Sequence, residues 1–474
     1  MKLPPIKKYP NIGTGIHDLT YYSTEVVFKN AFLQADPFWN QLDGSHWPDG
    51  QRNLRNGAVG PNGMPLGDPS VGWWRTHMRK GLPVYEGGRY FIITDAIATF
   101  SFAGDANGTH KTTGNPSTPV TFWVTPSKEG FSMIIRNIEK APTYIHIVPE
   151  GYLGDFLDEP FHPLFLKNLG HYSCIRFMDA CGAFSKFGDG EPGRQWHNRT
   201  TKFQPQNRAL NEPLELAFTH NGYDRKWATN YGMCYEYIYE LCNKLNVDCY
   251  ICIPPLATTE FALEMIRLIR RGLKPHLKLY YEWSNECWNL NFPQSGAFAI
   301  LADRSTEVNF PYHKFWFTKG NPDVPVTNLL SLTWQAHRMK EVTTEVMKEF
   351  TRFDVHPVFA FQTANAWNAD QVLQINDYHK TFTHLACNGY FGHFDELKPY
   401  PWGGTPAQWK NYLSGTISSL SDELVRVKTV ADKYSLTVIG YEAGQHVICK
   451  NAAQVNEWGR IQETQVLYEL YCEL

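Results

Sequence analysis

The sequence predicts an α/β fold: a (β/α)8 TIM-type barrel with an antiparallel β-rich domain inserted into it or placed N-terminal to it. From about Cys174 onward, short apolar runs alternate with long amphipathic stretches, which is typical of parallel βαβ units. A closed barrel is favoured over an open sheet because there is no glycine-rich first loop. The chain also has no phosphate-binding loop and no GxSxG nucleophile elbow.

Seven runs are candidate barrel strands. In chain order they are EVVFKNAF, SCIRFMD, DCYICIPP, LKLYYEWSNE, VHPVFAFQ, THLACNGYF and LTVIGYE. Helices are predicted between them where apolar residues recur three and four positions apart, as at Ile238, Leu241 and Leu245. A long helix is expected from about Thr405 to Ser435.

The eighth barrel strand is missing from this pattern. LTVIGYE counts as strand seven, and the remainder, NAAQVNEWGRIQETQVLYELYCEL, looks like one helix. Either the barrel is incomplete, or a second polypeptide completes it, or the strand count is off by one.

Three regions follow from these patterns. Residues 1–38 are an N-terminal segment that holds the first barrel strand, and residues 151–474 are the rest of the barrel. Residues 39–150 read as a β-rich, sandwich-like domain, because short alternating strands are separated there by Gly, Pro, Asn and Thr. Its clearest strands are RYFIITDAIATFSFAG, VTFWVTP and SMIIRNI.

Composition excludes several classes of function. The 474 residues carry a formal net charge of -3 and no basic tract, which argues against a nucleic-acid partner. No run is apolar enough to span a membrane, and the N-terminus shows no secretory signal, so a cytoplasmic or other reducing compartment is favoured. Cys249 and Cys252 form a CxxC on a predicted strand. Their side chains would face opposite sides of that strand, so the two thiols are not expected to bind a metal or form a redox pair. The 17 histidines show no metal-binding spacing, so neither a metal nor a cofactor is expected.

Polar residues follow three of the predicted strands. LKLYYEWSNE ends in Asn285 and Glu286, LTVIGYE ends in Glu442, and SCIRFMD carries Arg176 and Asp179. In a barrel of parallel strands, functional side chains collect at the C-terminal strand ends. Two such Glu carboxyl groups roughly 5 to 5.5 Å apart suit retaining glycoside hydrolysis, in which one is the nucleophile and the other the acid/base.

These residues resemble a known family. An Asn-Glu pair that ends strand four, with a second Glu that ends strand seven, is similar to clan A of the glycoside hydrolases. These are retaining (β/α)8 enzymes that include many cellulases and mannanases. The resemblance covers about Tyr172 to His446 and implies that Glu286 is the acid/base and Glu442 the nucleophile. It also implies that Arg176 and Tyr390 lie beside the nucleophile. The missing eighth strand departs from the clan pattern.

The resemblance implies a β-glycan substrate and further contacts with it. The positive charge of Arg176 would favour the ionised form of Glu442, and Asn285 would donate a hydrogen bond to the sugar 2-hydroxyl. The other expected substrate contacts are aromatic or imidazole side chains near strand ends: Trp283, Trp288, Trp402 and His446.

Several alternatives stay open. Glu282 lies four positions before Glu286, so both side chains would point to the same side of the strand. It is therefore the rival candidate on that strand, or it is instead the buried partner of a basic group. Arg176 either assists the nucleophile or only neutralises Asp179, and both Trp283 and Trp288 fit a core as well as a cleft. The main alternative function is a non-catalytic glycan-binding or structural protein on a degenerate barrel.

Overall fold

The structure is a computed structural model. It describes residues 11–16, 19–23, 25–35, 39–41, 64–66, 73–79, 85–183, 196–206, 232–255, 257–305, 308, 324–393 and 399–473. The chain forms two compact units. The first comprises Met1–Ser284 with Phe353–Val355, and the second comprises Asn285–Arg352 with His356–Leu474.

The strands are, in chain order, β1 Gly13–Ile16, β2 Trp39–Gln41, β3 Trp73–Arg79, β4 Gly88–Thr94, β5 Ile97–Gly104, β6 Gly108–Lys111, β7 Val120–Val124, β8 Phe131–Lys140, β9 Ile145–Pro149, β10 Cys174–Phe177, β11 Asp248–Ile253, β12 Leu279–Trp283, β13 Val355–Phe361, β14 His384–Phe391 and β15 Thr437–Gln445. The α-helices are α1 Pro163–Leu169, α2 Tyr235–Leu245, α3 Thr259–Gly272, α4 Pro293–Arg304, α5 Val324–Val346, α6 Ala366–Gln374, α7 Pro406–Lys433, α8 Ala452–Gln462 and α9 Gln465–Glu473.

The first unit contains four parallel strands in the order β1, β10, β11 and β12. They alternate with amphipathic helices, as the apolar spacing predicts. In α3, for example, Phe261, Met265 and Ile269 form a buried stripe, and the Thr258 side chain accepts a hydrogen bond from the Phe261 N–H at the helix start.

The prediction for the first barrel strand is wrong. In EVVFKNAF, Phe28 makes only an isolated bridge to Phe161, and the Asn30 side chain caps a short 3-10 helix, Ala31–Gln34. The first parallel strand is instead β1, paired with β10. The apolar residues of EVVFKNAF are buried, but the Asn30 cap turns the chain before a strand can extend.

The β-rich region is antiparallel, as predicted. A five-stranded sheet has the order β2-β3-β8-β5-β6, and a three-stranded sheet has the order β7-β4-β9. Both sheets contribute to one buried core, which includes Tyr90, Phe100, Phe122, Met133 and Ile147. Its predicted limits, residues 39 and 150, stay a prediction.

The second unit contains three parallel strands in the order β13, β14 and β15. All seven residues of β13 are buried, as expected for a parallel strand covered on both faces. The long helix α7 starts with a capping box between Thr405 and Gln408, and its buried face includes Trp409 and Leu413.

The alternation of parallel strands and helices that is typical of a TIM-type barrel is therefore confirmed, together with the additional antiparallel sheets. The parallel strands number seven in the described part of the chain, so the eight-fold barrel stays a prediction. The end of the chain forms two helices, α8 and α9, rather than the single helix predicted. The break lies at Glu463 and Thr464, where no Gly or Pro marks it.

Candidate active site

Glu286 follows β12 in the chain and belongs to the second unit. Its backbone has a φ of 44°, in the left-handed region that side-chain-bearing residues rarely adopt. Residues 286–289 form a turn, which is closed by the Asn289 N–H donating to the Glu286 carbonyl oxygen at 2.8 Å. The side chain is 9% exposed, so the carboxyl group is largely enclosed by its neighbours. A rare backbone conformation at a polar residue is the kind of strain that functional sites retain.

Both carboxyl oxygens of Glu286 face hydrogen-bond donors. The Asn289 side-chain amide donates to Oε2 at 2.9 Å, and the Tyr441 hydroxyl lies 3.5 Å from Oε1. The Trp288 indole N–H in turn donates to the Tyr441 oxygen at 3.3 Å. Donors on a carboxylate favour its charged form, whereas burial favours the neutral form. The environment of Glu286 therefore combines two opposing effects.

Helices α4 and α5 hold the loop that carries Glu286. The Gln294 side chain donates to the Asn285 carbonyl oxygen at 3.0 Å, and the hydroxyl groups of Ser295 and Ser331 donate to the Cys287 carbonyl oxygen. All three of these polar side chains are buried. The backbone on either side of Glu286 is thus fixed by side-chain hydrogen bonds, which lets the loop keep its strained turn.

Glu442 lies on β15 next to a β-bulge. Cys387 of β14 pairs with Gly440 and Asn388 pairs with Glu442, so Tyr441 is the extra residue of the bulge. A bulge breaks the strict alternation of side chains along a strand and re-aims them locally. Because of it, the Tyr441 side chain reaches Glu286 while the next residue, Glu442, accepts a hydrogen bond from the Tyr390 hydroxyl.

His446 completes this part of the second unit. Its ring lies 5.1 Å from the Tyr390 ring, at an interplanar angle of 40°, and the residue is exposed. The structure therefore brings Glu286 and Trp288 together through Tyr441, and it brings Glu442, Tyr390 and His446 together at the end of β15. Since Tyr441 and Glu442 are consecutive, the two groups share one end of the three-stranded sheet.

Trp402 is half-buried and Asn285 is buried. Trp402 packs on the rings of Tyr400 and Trp409, with centroid distances of 5.6 and 5.0 Å, as part of a core cluster. Its ring is half-buried by this packing, and its contact with substrate stays a prediction. Asn285 is 2% exposed, and its hydrogen bond to a sugar hydroxyl stays a prediction.

Arg176 lies in the first unit, where it forms an ion pair with Glu282. The Glu282 side chain is fully buried and also accepts hydrogen bonds from the Tyr250 hydroxyl at 2.9 Å and the Cys252 thiol at 3.0 Å. Burial and the nearby Glu282 charge raise the pKa of the Tyr250 hydroxyl well above its usual value. Glu282 is thus a structural partner of a basic group, one of the two alternatives for this residue. The placement of Arg176 beside Glu442 stays a prediction.

Trp283 is enclosed in the core. It is 1% exposed, so its ring faces are covered by neighbouring atoms rather than open to a sugar. This corrects its assignment as a stacking platform and favours the alternative of a core tryptophan. Trp288 is half-buried, with its indole N–H directed at Tyr441.

The sequence patterns did not identify three residues of this region as part of the candidate site: Tyr441, Asn289 and Trp367. The first two act through the bulge and the left-handed turn, which are not visible in apolar periodicity. Trp367, at the start of α6 just after β13, is 58% exposed. Parallel strands end at the same edge of a sheet, so Trp367 follows the edge at which Tyr390 and Glu442 lie. Its signal in the sequence was a tryptophan shortly after a strand end.

Among the described residues, no three His, Cys, Asp or Glu side chains are arranged to hold a metal ion. No helix in that part of the chain has the length and apolar character needed to cross a membrane.

Comparisons with known proteins give little beyond the fold. No protein-family model matches the chain, and none of the curated proteins is similar to it in sequence. Among solved structures, the chain is similar to the crystal structure of the GH51 arabinofuranosidase from Xanthomonas axonopodis pv. citri, with a TM-score of 0.35 and 13% identity. The match covers 62% of this chain and 53% of that chain, so it spans about half the length of the arabinofuranosidase structure. A likeness this distant carries no argument about activity.

Proposed function

We propose that this protein is a retaining glycoside hydrolase that cleaves β-linked polysaccharide or oligosaccharide, with Glu442 as the nucleophile and Glu286 as the acid/base. One observation carries the proposal. Tyr441, the chain neighbour of Glu442, contacts the Glu286 carboxyl group at 3.5 Å, so both acidic residues belong to one end of the second unit. Retaining hydrolysis needs two carboxyl groups in one place.

In the proposed reaction, a Glu442 oxygen attacks the anomeric carbon of the sugar and forms a glycosyl ester, while the bond to the leaving oxygen breaks. The proton of Glu286 passes to that oxygen, which departs as an alcohol. Glu286 then takes a proton from water, and the resulting hydroxide attacks the anomeric carbon and releases Glu442. The Tyr390 hydroxyl, bound to Glu442 Oε2, orients the nucleophile.

The surroundings of the two residues support these roles. Glu442 lies on a strand, is half-buried and accepts a hydrogen bond from the Tyr390 hydroxyl, which suits a nucleophile that must be held in one orientation. Glu286 is more enclosed, and burial there is opposed by donors on both oxygens. A group that must be an acid in one step and a base in the next needs neither form to dominate strongly.

We also assign the sugar-stacking surface to Trp367 rather than to Trp283. The Trp367 ring is 58% exposed, whereas Trp283 is enclosed. A flat apolar ring with open faces can cover the C–H faces of a pyranose or furanose. Trp367 and the exposed His446 follow the ends of β13 and β15, so a glycan chain lying along this one edge of the three-stranded sheet would contact both residues.

The test is a hydrolysis assay on a panel of β-glucans, β-mannans and β-xylans. We expect the wild type to cleave at least one of them with retained anomeric configuration, and Glu442→Gln to lose more than about a thousandfold in turnover. Glu463→Gln, which removes an exposed carboxylate of the same unit, is the matched control and should stay active. A wild type that binds glycans and cleaves none of them would overturn the proposal in favour of the non-catalytic glycan-binding protein.

A further inference from the structure

Tyr441 is a buried tyrosine placed between two residues of the loop that carries Glu286. It is 6% exposed and is the extra residue of the β15 bulge. Its hydroxyl oxygen accepts a hydrogen bond from the Trp288 indole N–H at 3.3 Å and lies 3.5 Å from Glu286 Oε1. The second oxygen of Glu286 is bound by the Asn289 amide at 2.9 Å.

We propose that Tyr441 is a positioning residue that holds the Glu286 carboxyl group through its hydroxyl, anchored by the Trp288 indole N–H. This inference rests on the proposed acid/base role of Glu286. It adds a residue that does not touch the substrate and acts through another side chain.

The hydrogen-bonding capacities of the Glu286, Trp288 and Tyr441 side chains support this positioning role. An ionised carboxylate only accepts hydrogen bonds and an indole N–H only donates, whereas a tyrosine hydroxyl does both. The hydroxyl can therefore accept from Trp288 and donate to Glu286 at the same time. When Glu286 carries a proton on Oε1, the hydroxyl oxygen can instead accept from it, because an oxygen has a second acceptor direction. Tyr441 thus offers a partner to Glu286 in both states, but it stabilises the ionised state more, because a hydrogen bond to a charged acceptor is stronger than a neutral one.

The bulge explains why this contact exists. In a regular strand, Tyr441 and Glu442 would point to opposite faces of the sheet. The register shift between Cys387 and Asn388 makes Tyr441 an additional residue, which frees its side chain from that alternation. One short piece of β15 then supplies both the Glu442 carboxylate and the support for Glu286.

The experiment uses full-length protein labelled with 13C at the glutamate carboxyl carbon. The Glu286 resonance is assigned as the one lost in Glu286→Gln, and its titration is followed in wild type, Tyr441→Phe and Tyr390→Phe. Removal of the Tyr441 hydroxyl takes away a donor to the charged form, so the Glu286 titration midpoint should rise by about 0.5 to 1 pH unit. Tyr390→Phe is the matched control: it removes the same atom, but next to Glu442, and should move the Glu286 midpoint by less than about 0.2 unit.

A second variant, Trp288→Phe, guards against failure of Tyr441→Phe to fold. It leaves the hydroxyl in place but removes its anchor, and we expect a smaller rise of the Glu286 midpoint. In an active enzyme, the limb of the pH–rate profile that reports Glu286 should move with the midpoint, and kcat should fall about tenfold with little change in KM.

Two results separate the inference from the proposed function. A midpoint that rises in Tyr441→Phe, but not in Tyr390→Phe, supports the positioning role even if no glycan is cleaved. A Glu286 midpoint that is the same in wild type, folded Tyr441→Phe and Trp288→Phe overturns the inference, whether or not the wild type is a hydrolase.

Discussion

Two glutamates only four positions apart in the chain, Glu282 and Glu286, have opposite environments. Glu282 is fully buried in the first unit and is compensated by the full positive charge of Arg176, with Tyr250 and Cys252 as further donors. Glu286, in the second unit, has the neutral donors Asn289 and Tyr441 on its oxygens.

The difference separates a structural carboxylate from the one that we propose takes part in the reaction. A buried carboxylate that is paired with a cation supports the fold, because removal of either partner leaves an uncompensated buried charge. The Asn289 amide and the Tyr441 hydroxyl contact Glu286, and the proposed acid/base role requires this carboxyl group to change its protonation state. Both lie in the stretch Tyr280–Asn289, so residue type alone does not distinguish them, whereas their partners do.

The largest expected effect concerns activity. Glu286→Ala should lower turnover by about a thousandfold or more while leaving the thermal unfolding temperature within a few degrees of wild type. On an aryl glycoside whose leaving group needs no protonation, azide should partly restore turnover, because this anion attacks the anomeric carbon of the glycosyl ester without a general base, releases Glu442 and gives a glycosyl azide. Glu282→Ala should instead lower the unfolding temperature strongly. Equal losses of stability in both variants would remove the distinction between the two residues.

The next effect concerns stability of the first unit. Arg176→Met leaves the buried Glu282 carboxylate without its compensating cation and should cost about 3 to 5 kcal/mol in the free energy of unfolding. The double variant Arg176→Met with Glu282→Gln should recover much of that loss, which can be measured by urea unfolding. As a surface control, Lys428→Met breaks an exposed ion pair with Asp432 and should cost less than about 1 kcal/mol. A double variant as unstable as the single one would mean that Arg176 acts mainly through other contacts.

A smaller effect is expected at the glycan surface. Trp367→Ala should raise KM for a polymeric substrate about five- to tenfold with little change in kcat, since stacking contributes to binding before and during the reaction. Trp123→Ala, which removes an equally exposed tryptophan of the antiparallel region, is the control. Steady-state kinetics on the polymer and on a short aryl glycoside measure this. A change in kcat without a change in KM would argue against a stacking surface.

The smallest effect extends the comparison to Glu86, a half-exposed carboxylate of the first unit. Burial raises the pKa of Glu86, but hydrogen bonds with His162 and Tyr152 outweigh burial and lower that pKa to about 2. A lowered folded-state pKa contributes stability that is present above pH about 4.5 and is lost as the pH falls toward 2.

With allowance for solvent screening of this group, the Glu86 contribution is about 1 kcal/mol. Glu86→Gln does not titrate, so the stability difference between wild type and variant should shrink as the pH falls from about 4.5 to 2.5. Thermal unfolding across this range measures it. A difference that stays constant with pH would show that Glu86 does not titrate in this window.

Sequence patterns predicted the regular parts of this molecule well. Six of the runs predicted as barrel strands are parallel strands, and β13 shows the reason most clearly: apolar composition and length decide strand formation when both faces are buried. The first strand was missed because Gly13 and Gly15 make up half of it, leaving no apolar run to recognise. The break between α8 and α9 was missed for a related reason, since Glu463 and Thr464 carry no helix-ending signal.

The site depends on less local features. The Asn-Glu pair and Glu442 could be identified by their positions after predicted strands. Which aromatic rings are enclosed could not, because burial depends on residues far along the chain: Trp283 is in the core, whereas Trp367 is exposed. The contact of Tyr441 with Glu286 joins residues 155 positions apart and depends on a bulge in the pairing of β15 with β14.

The central claim is tested most directly by trapping the covalent intermediate. Fully active protein is incubated with 2-deoxy-2-fluoro β-glycosides of the sugars that it cleaves, digested and examined by mass spectrometry. The proposed function predicts one added glycosyl group on the peptide that contains Glu442, and none in Glu442→Gln. An adduct on a different carboxylate, or hydrolysis of the panel without any adduct and with inverted products, would contradict it.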